Sequence, residues 1–329
     1  LKSGSHPEEY ATKAVNLGLE SFAITDENSV SGIVRAHSEL KRIMRNSNAN
    51  SVLKTWLIPG TEIITIEGLK VTALAKNRKG WANICRLLTE GKSKEKKGLC
   101  KLSVNDVIKY GNNIALLLYI SEKFDLNQWM YFSKKITAVF SDAALILSPR
   151  YDGRDVGLFI KTSKIAKELN IRLAASARPI MHQSSRRRVI DVLSAIRNNC
   201  TIEALGYKAE RNAERRLWSP DELEKIFIGY HDAVINSITI SRSCTFSLDE
   251  LHHEYPAEIF FGESPHKKLI RLTYEGLAWR YPRKIPNQVQ KQTEHELNLK
   301  KKLKYSPYFL TVFDIVKFAR SKNFLCQGR

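Results

Sequence analysis

The sequence has 329 residues, 43% of them apolar, which is enough for one large domain or two ordinary ones around a core and excludes a disordered chain. Its 53 Lys plus Arg against 34 Asp plus Glu give a formal charge of +19, which favours a polyanionic partner, nucleic acid first, over the bland alternative of a lysine-rich background composition. Five scattered cysteines without a Cys-x-x-Cys pair point to reduced thiols, and no apolar run reaches the roughly 20 residues that span a bilayer, so the expected location is the cytoplasm.

His6-Pro-Glu-Glu9 starts a helix, with Pro7 in its first turn, two acids near its positive end, and Ala11, Ala14, Val15 and Leu17 as its apolar face. Gly18 stops it. Phe22 to Thr25 then reads as a buried strand that delivers Thr25-Asp26-Glu27-Asn28 at its carboxyl end, where α/β proteins place their sites. A helix follows over Ser29 to Met44 and a polar turn over Asn46 to Asn50. Trp56 to Ile58 is the next strand, leading through Pro59 and Gly60 to Thr61 and Glu62; Glu62 to Ile66 and Leu69 to Ala75 form a hairpin about Glu67-Gly68.

Gly80 to Leu88 is helical and runs into Gly91 to Gly98, a lysine-rich loop best read as a solvated surface. Ile114 to Ile120, Ile136 to Phe140, Ala144 to Leu147 and Ile171 to Ala175 complete the strands, with a helix over Gly157 to Leu169. About seven strands alternating with helices predict an α/β fold, a distorted β/α barrel of TIM-like kind. From Arg186 onward helical spacing takes over, in Arg186 to Ile196, Ser219 to Tyr230, His231 to Cys244 and Pro265 to Arg280. Glu254 to Pro265 is the best linker, so a barrel domain with a helical extension is expected over 1–253 and a mainly helical piece over 254–329.

Several short segments carry a resemblance. His6-Pro-Glu-Glu9, Ala23-Ile-Thr-Asp-Glu-Asn28, Val34-Arg-Ala-His37, Pro59-Gly-Thr-Glu62 and Arg150-Tyr-Asp-Gly-Arg-Asp155 resemble the amino-terminal domain of bacterial C-family DNA polymerases, which is of the polymerase-and-histidinol-phosphatase (PHP) type. Arg211-Asn-Ala-Glu-Arg215, Phe246 to Leu251, Tyr255-Pro256, Tyr305 to Val312, Asp314 to Val316 and Phe318 to Ser321 extend the likeness to the end of the chain. Cys326-Gln-Gly-Arg329 and Arg150 to Asp155 are more similar to the error-prone branch than to the replicative alpha subunit. Many short matches in one order are specific where a lone motif is not.

The resemblance implies that active members hold metal at the strand ends with histidines, carboxylates and a Gly-x-Glu glutamate. Asp26 and Glu62 fit that pattern and are the candidate metal ligands. Glu27 stands where a Thr-Asp-His motif has histidine, Lys2 where an aspartate is common, and Arg178-Pro-Ile180 where Asp-x-His is expected. A cation in a ligand position repels metal and neutralises carboxylates. The resemblance therefore implies a vestigial site in which Arg178, with Lys2, lies beside Asp26 and Glu62; bound Zn2+ or Mn2+ is not expected. His182 is either a remaining ligand or a surface or supporting histidine.

The same resemblance implies an error-prone DNA polymerase acting in replication and damage-induced translesion synthesis. It would use Mg2+ and deoxynucleoside triphosphates, with DNA, a sliding clamp and accessory mutagenesis proteins as partners. The chain opens without Met and stops inside the Gly-Arg-Gly-Ser motif, ahead of the family's Asp-x-Asp carboxylates, so it looks cut at both ends and incapable of synthesis by itself. Gly328 and Arg329 would contact nucleotide phosphates. Two alternatives stay open: a metal-dependent phosphoesterase or 3′-5′ exonuclease, and a non-catalytic remnant that binds DNA. Basic clusters at Arg186 to Arg188, Arg211 to Arg216 and Lys300 to Lys304 either line a DNA path or pair with nearby acids.

Overall fold

The computed structural model describes residues 2–46, 55–120, 125–251 and 262–326, in two compact units, Leu1–Leu251 and His252–Arg329. Gly328, Arg329, the Asn46 to Asn50 turn past its first residue, and most of the Glu254 to Pro265 linker lie outside the described residues.

In the first unit the elements run α1 (Pro7–Asn16), β1 (Ser21–Glu27), α2 (Ile33–Asn46), β2 (Trp56–Ile64), β3 (Lys70–Ala75), α3 (Arg78–Ser93), α4 (Val104–Tyr110) and β4 (Ile114–Tyr119). They continue with α5 (Leu126–Val139), β5 (Ala144–Leu147), α6 (Asp155–Glu168), β6 (Arg172–Ala175), α7 (Arg187–Asn198), α8 (Pro220–Ile226) and α9 (His231–Ser243). The six strands lie in sequence order in one sheet. β1 and β2 are parallel, β3 is antiparallel to both its neighbours, and β4, β5 and β6 are parallel. The carboxyl ends of β1, β2, β4, β5 and β6 and the amino end of β3 therefore share one rim.

Two expectations need correction. The strand expected over Ile136 to Phe140 is the last turn of α5, in which Trp129, Ser133 and Ile136 are buried at helical spacing. A short apolar run looks alike in either state; Trp129 decides this one, donating its indole N–H to the Tyr119 carbonyl at 3.1 Å from about two turns earlier in the same helix. Trp56 to Ile58 and Glu62 to Ile66 are not two strands but one, β2, which passes straight through Pro59-Gly60. Gly60 permits this because a Cβ there would lie 2.6 Å from the Ala73 carbonyl oxygen of β3.

Residues paired across neighbouring strands share a face, so the register assigns every side chain a side. One face carries Ile58, Leu74, Ala115, Ala144 and Ala174, which pack with Ile240 and Cys244. The run of alanines leaves room for α9 to come close. Asn236 Nδ2 donates to the Leu173 carbonyl at 2.9 Å and Ser237 Oγ to that of Ala175 at 2.7 Å, both on β6. At its far end Ser241 Oγ meets Ser21 Oγ of β1 at 2.6 Å, and Arg242 Nε donates to Glu20 at 2.8 Å. One helix thus touches both edge strands, which requires the sheet to curl into a barrel-like form around it.

The opposite face meets the other helices. Phe22 and Ile24 of β1 pack with Tyr10, Ala11 and Ala14 of α1 and with Ile33, Ala36 and Leu40 of α2. Val71, Ala73, Leu116, Leu118 and Leu145 pack with Ile84, Trp129 and Ile136. The second unit contains α10 (Pro265–Arg280), α11 (Asn287–Lys302) and α12 (Ser306–Ser321), which bury Leu269, Leu297 and Leu310 together.

Candidate functional site

At the shared rim, Glu27 of β1 and Glu62 of β2 are register partners and stand on the same face, the one covered farther down by α9. Lys70, two residues before the Glu62 partner Thr72, and Tyr119, the partner of Lys70, join them. Two adjacent carboxylates repel, and half-buried ones do so more strongly than in water. Cations answer them.

Arg178 arrives from the segment after β6 in a left-handed backbone conformation, φ 44°, a region that favours glycine and asparagine over a long side chain. Its Nη2 donates to Glu62 Oε2, and its guanidinium lies over the Tyr119 ring, 3.8 Å from the centroid. Both partners of the ion pair are largely removed from water, Glu62 being 14% and Arg178 22% exposed. Lys70 Nζ stands 3.9 Å from Glu62 Oε1, and Lys2 pairs with Glu27. Burial pushes the Lys2 ammonium below its ordinary value, and repulsion from Lys70, Arg197 and Arg178 adds to this against the pull of Glu62.

Asp26 is not part of this group, against expectation. It pairs in register with Thr61, so it faces the α1 and α2 side, and its Oδ2 accepts the Gly32 N–H at 2.8 Å just ahead of α2. A Cβ on Gly32 would come within 2.7 Å of that oxygen, so the glycine and the aspartate fit together. The motif residue is a helix-entry acceptor here. Asp26→Ala is expected to lower stability in urea by about 1 kcal/mol, the usual cost of losing such an acceptor, and to leave calorimetric traces with Zn2+ unchanged. Loss of a metal-binding heat in that variant would contradict this placement.

His182 is likewise elsewhere. Its Nδ1 and the Ser5 hydroxyl are 2.8 Å apart, its backbone N–H donates to the same oxygen at 3.0 Å, and Glu9 is 4.0 Å away. Burial and the nearby Lys13 push the imidazole below its ordinary value. Ser5 precedes α1, so His182 ties the post-β6 segment to the start of the chain. With Glu62 engaged by Arg178, Asp26 by Gly32 and His182 by Ser5, the donor set does not fit a metal centre. Among the described residues no three His, Cys, Asp or Glu side chains cluster so as to hold one.

Several members of the basic clusters have acidic partners. Arg186 pairs with Glu9, Arg211 Nη1 lies 3.0 Å from Asp152, Arg215 Nη1 3.1 Å from Glu210, and Lys300 Nζ 3.0 Å from Glu296. Arg216 lies over the Trp218 ring, 3.6 Å from its centroid, and donates to Glu222 at 3.0 Å, holding that carboxyl down to about 2. Lys70 and Tyr119 were not singled out in the sequence. Their place depends on strand register, which a lone lysine and a lone tyrosine do not signal.

Two family models match parts of the chain. The model of the PHP domain matches residues 1–135, and that of the bacterial DNA polymerase III alpha NTPase domain matches residues 267–329. An error-prone DNA polymerase of Sinorhizobium medicae is 37% identical over 335 residues, covering 100% of this chain and 29% of the relative. An error-prone DNA polymerase of Ruegeria pomeroyi is 34% identical over 360 residues, 100% of this chain and 32% of its own length. The chain thus spans about a third of the length of these curated relatives. Among solved structures, an amidohydrolase from Chromobacterium violaceum superposes with a TM-score of 0.38 at 10% identity, over 54% of this chain and 82% of that one, a likeness that adds nothing to the assignment. No helix among the described residues is long and apolar enough to cross a membrane. Residues 1–135 are thus similar to PHP domains, residues 267–329 to the bacterial DNA polymerase III alpha NTPase domain, and the chain throughout its length to error-prone DNA polymerases.

Proposed function

We propose that this chain is the PHP-bearing portion of an error-prone, DNA-directed DNA polymerase that works in the cytoplasm in replication and damage-induced translesion synthesis. Similarity over the whole of this chain to proteins named error-prone DNA polymerase carries the reading. DNA and deoxynucleoside triphosphates are its substrates, Mg2+ its cofactor, and a sliding clamp and accessory mutagenesis proteins its partners. The PHP region over 1–253 serves as a vestigial, ion-paired scaffold for the polymerase region that begins at 254. Its support is the Arg178–Glu62 pair, in which a guanidinium engages the glutamate that the resemblance makes a candidate metal ligand.

Nucleotidyl transfer requires carboxylates that hold two divalent ions, and no Asp-x-Asp pair occurs in this sequence. Primer extension on intact and abasic templates with Mg2+ is therefore expected from a longer protein containing this chain and not from the chain alone. A longer protein that reaches past the Asp-x-Asp region, is folded, and incorporates no nucleotide on either template would end the reading.

A further inference from the structure

The barrel rim holds more positive charge than its carboxylates balance. Lys2, Lys70 and Arg178 face Glu27 and Glu62, an excess of one cation, and Arg197 adds its field to Lys2. The hydrogen bonds are not used up either. Among the described residues Arg178 engages Glu62 through Nη2 alone, leaving the other N–H groups of its fork without an acceptor. Lys70 approaches Glu62 at 3.9 Å, beyond hydrogen-bond reach, so its ammonium keeps its donors. Both side chains are partly withdrawn from water, 22% and 28% exposed, where unmatched donors and unbalanced charge are costly.

We propose that Arg178 and Lys70, with Lys2 at the lip, form a seat for a phosphate group at the barrel rim, and that no metal takes part in it. The chemistry is complementary on three counts. A guanidinium fork offers paired donors to two phosphate oxygens while the Tyr119 ring holds its plane. An ammonium supplies a point charge beside it. A singly charged phosphate balances the one cation that Glu27 and Glu62 leave over, and the strand ends are where such folds bind ligands. Glu62 keeps its bond to Arg178 in this arrangement and orients the guanidinium; it contributes no contact to the phosphate.

Free phosphate and the terminal phosphate of a nucleic acid offer the same chemistry, and the experiment separates them. The chain is titrated calorimetrically, in low chloride, with inorganic phosphate, with a 5′-phosphorylated oligonucleotide, and with the same oligonucleotide unphosphorylated. Saturable phosphate binding is expected, weakened about tenfold by Lys70→Ala and about threefold by Lys2→Ala, since each removes one charge contact. Lys161→Ala, on the exposed side of α6, is expected to bind as the parent does. A phosphorylated oligonucleotide that outcompetes its unphosphorylated twin identifies a nucleic-acid terminus; equal binding of the two identifies the free ion. Both results support the seat. Phosphate binding that does not saturate, or that is unchanged in both Lys70→Ala and Lys2→Ala, overturns it. The assay needs no polymerase activity, so its outcome is separate from that of primer extension.

Discussion

Arg178→Ala is expected to destabilise the first unit by about 2–3 kcal/mol, seen as a fall of about 5–10 °C in its thermal midpoint. Removing the guanidinium leaves Glu62, 14% exposed, as an unpaired carboxylate beside Glu27. An uncompensated charge in such a place costs more than the pair itself contributes. The loss of stacking on Tyr119 adds to the effect, and Lys70, 3.9 Å from Glu62, limits it. Arg178→Lys keeps the charge without the fork or the flat face, so it should recover only part of the loss. Combining Arg178→Met with Glu62→Gln removes both charges and should recover most of it. If Arg178→Ala melts with the parent midpoint, the pair has no part in holding the rim.

Gly80→Ala should destabilise by about 2–4 kcal/mol in a urea titration, although helix propensity taken alone predicts a gain of about 1 kcal/mol. Gly80 lies in the first turn of α3, where its N–H is accepted by the Asn77 side chain at 3.0 Å. A Cβ there would sit 1.9 Å from the Asn113 carbonyl oxygen, a backbone atom that cannot swing aside. That oxygen also accepts the Lys76 N–H at 3.1 Å, and Asn113 is held in a left-handed conformation, φ 61°. Accommodating the methyl therefore breaks a hydrogen bond and moves the entry to β4. Gly157→Ala in α6 meets nothing within 4 Å and should instead stabilise by about 0.5–1 kcal/mol. Equal effects at the two glycines would show that the close approach at Gly80 is not what sets its sign.

Much of the fold was legible along the chain because its signals are local. The alternation of apolar strands with amphipathic helices marked β1, β3, β4, β5 and β6, and Pro7 with two acids marked the start of α1. Long helices such as α9 and α10 showed their period plainly. What failed was short: the Ile136 to Phe140 run has too few residues to separate a strand from the end of a helix, and Pro59-Gly60 is a breaker only where no neighbouring carbonyl needs the room.

The candidate site divides in the same way. The order of residues alone established that carboxylates end β1 and β2 and that the chain carries a large cationic excess, while the family resemblance set Arg178 against an expected ligand position. Which of these meet depended on register. One residue of offset puts Asp26 against α2 and Glu27 beside Glu62, because side chains alternate across a strand. Lys70 and Tyr119 reach the rim only through antiparallel pairing of β3 with its two neighbours, and Arg178 crosses to β2 only because the sheet curls around α9. Residue type is written locally; the pairing of partial and full charges across distant strands is set by the shape the whole unit takes.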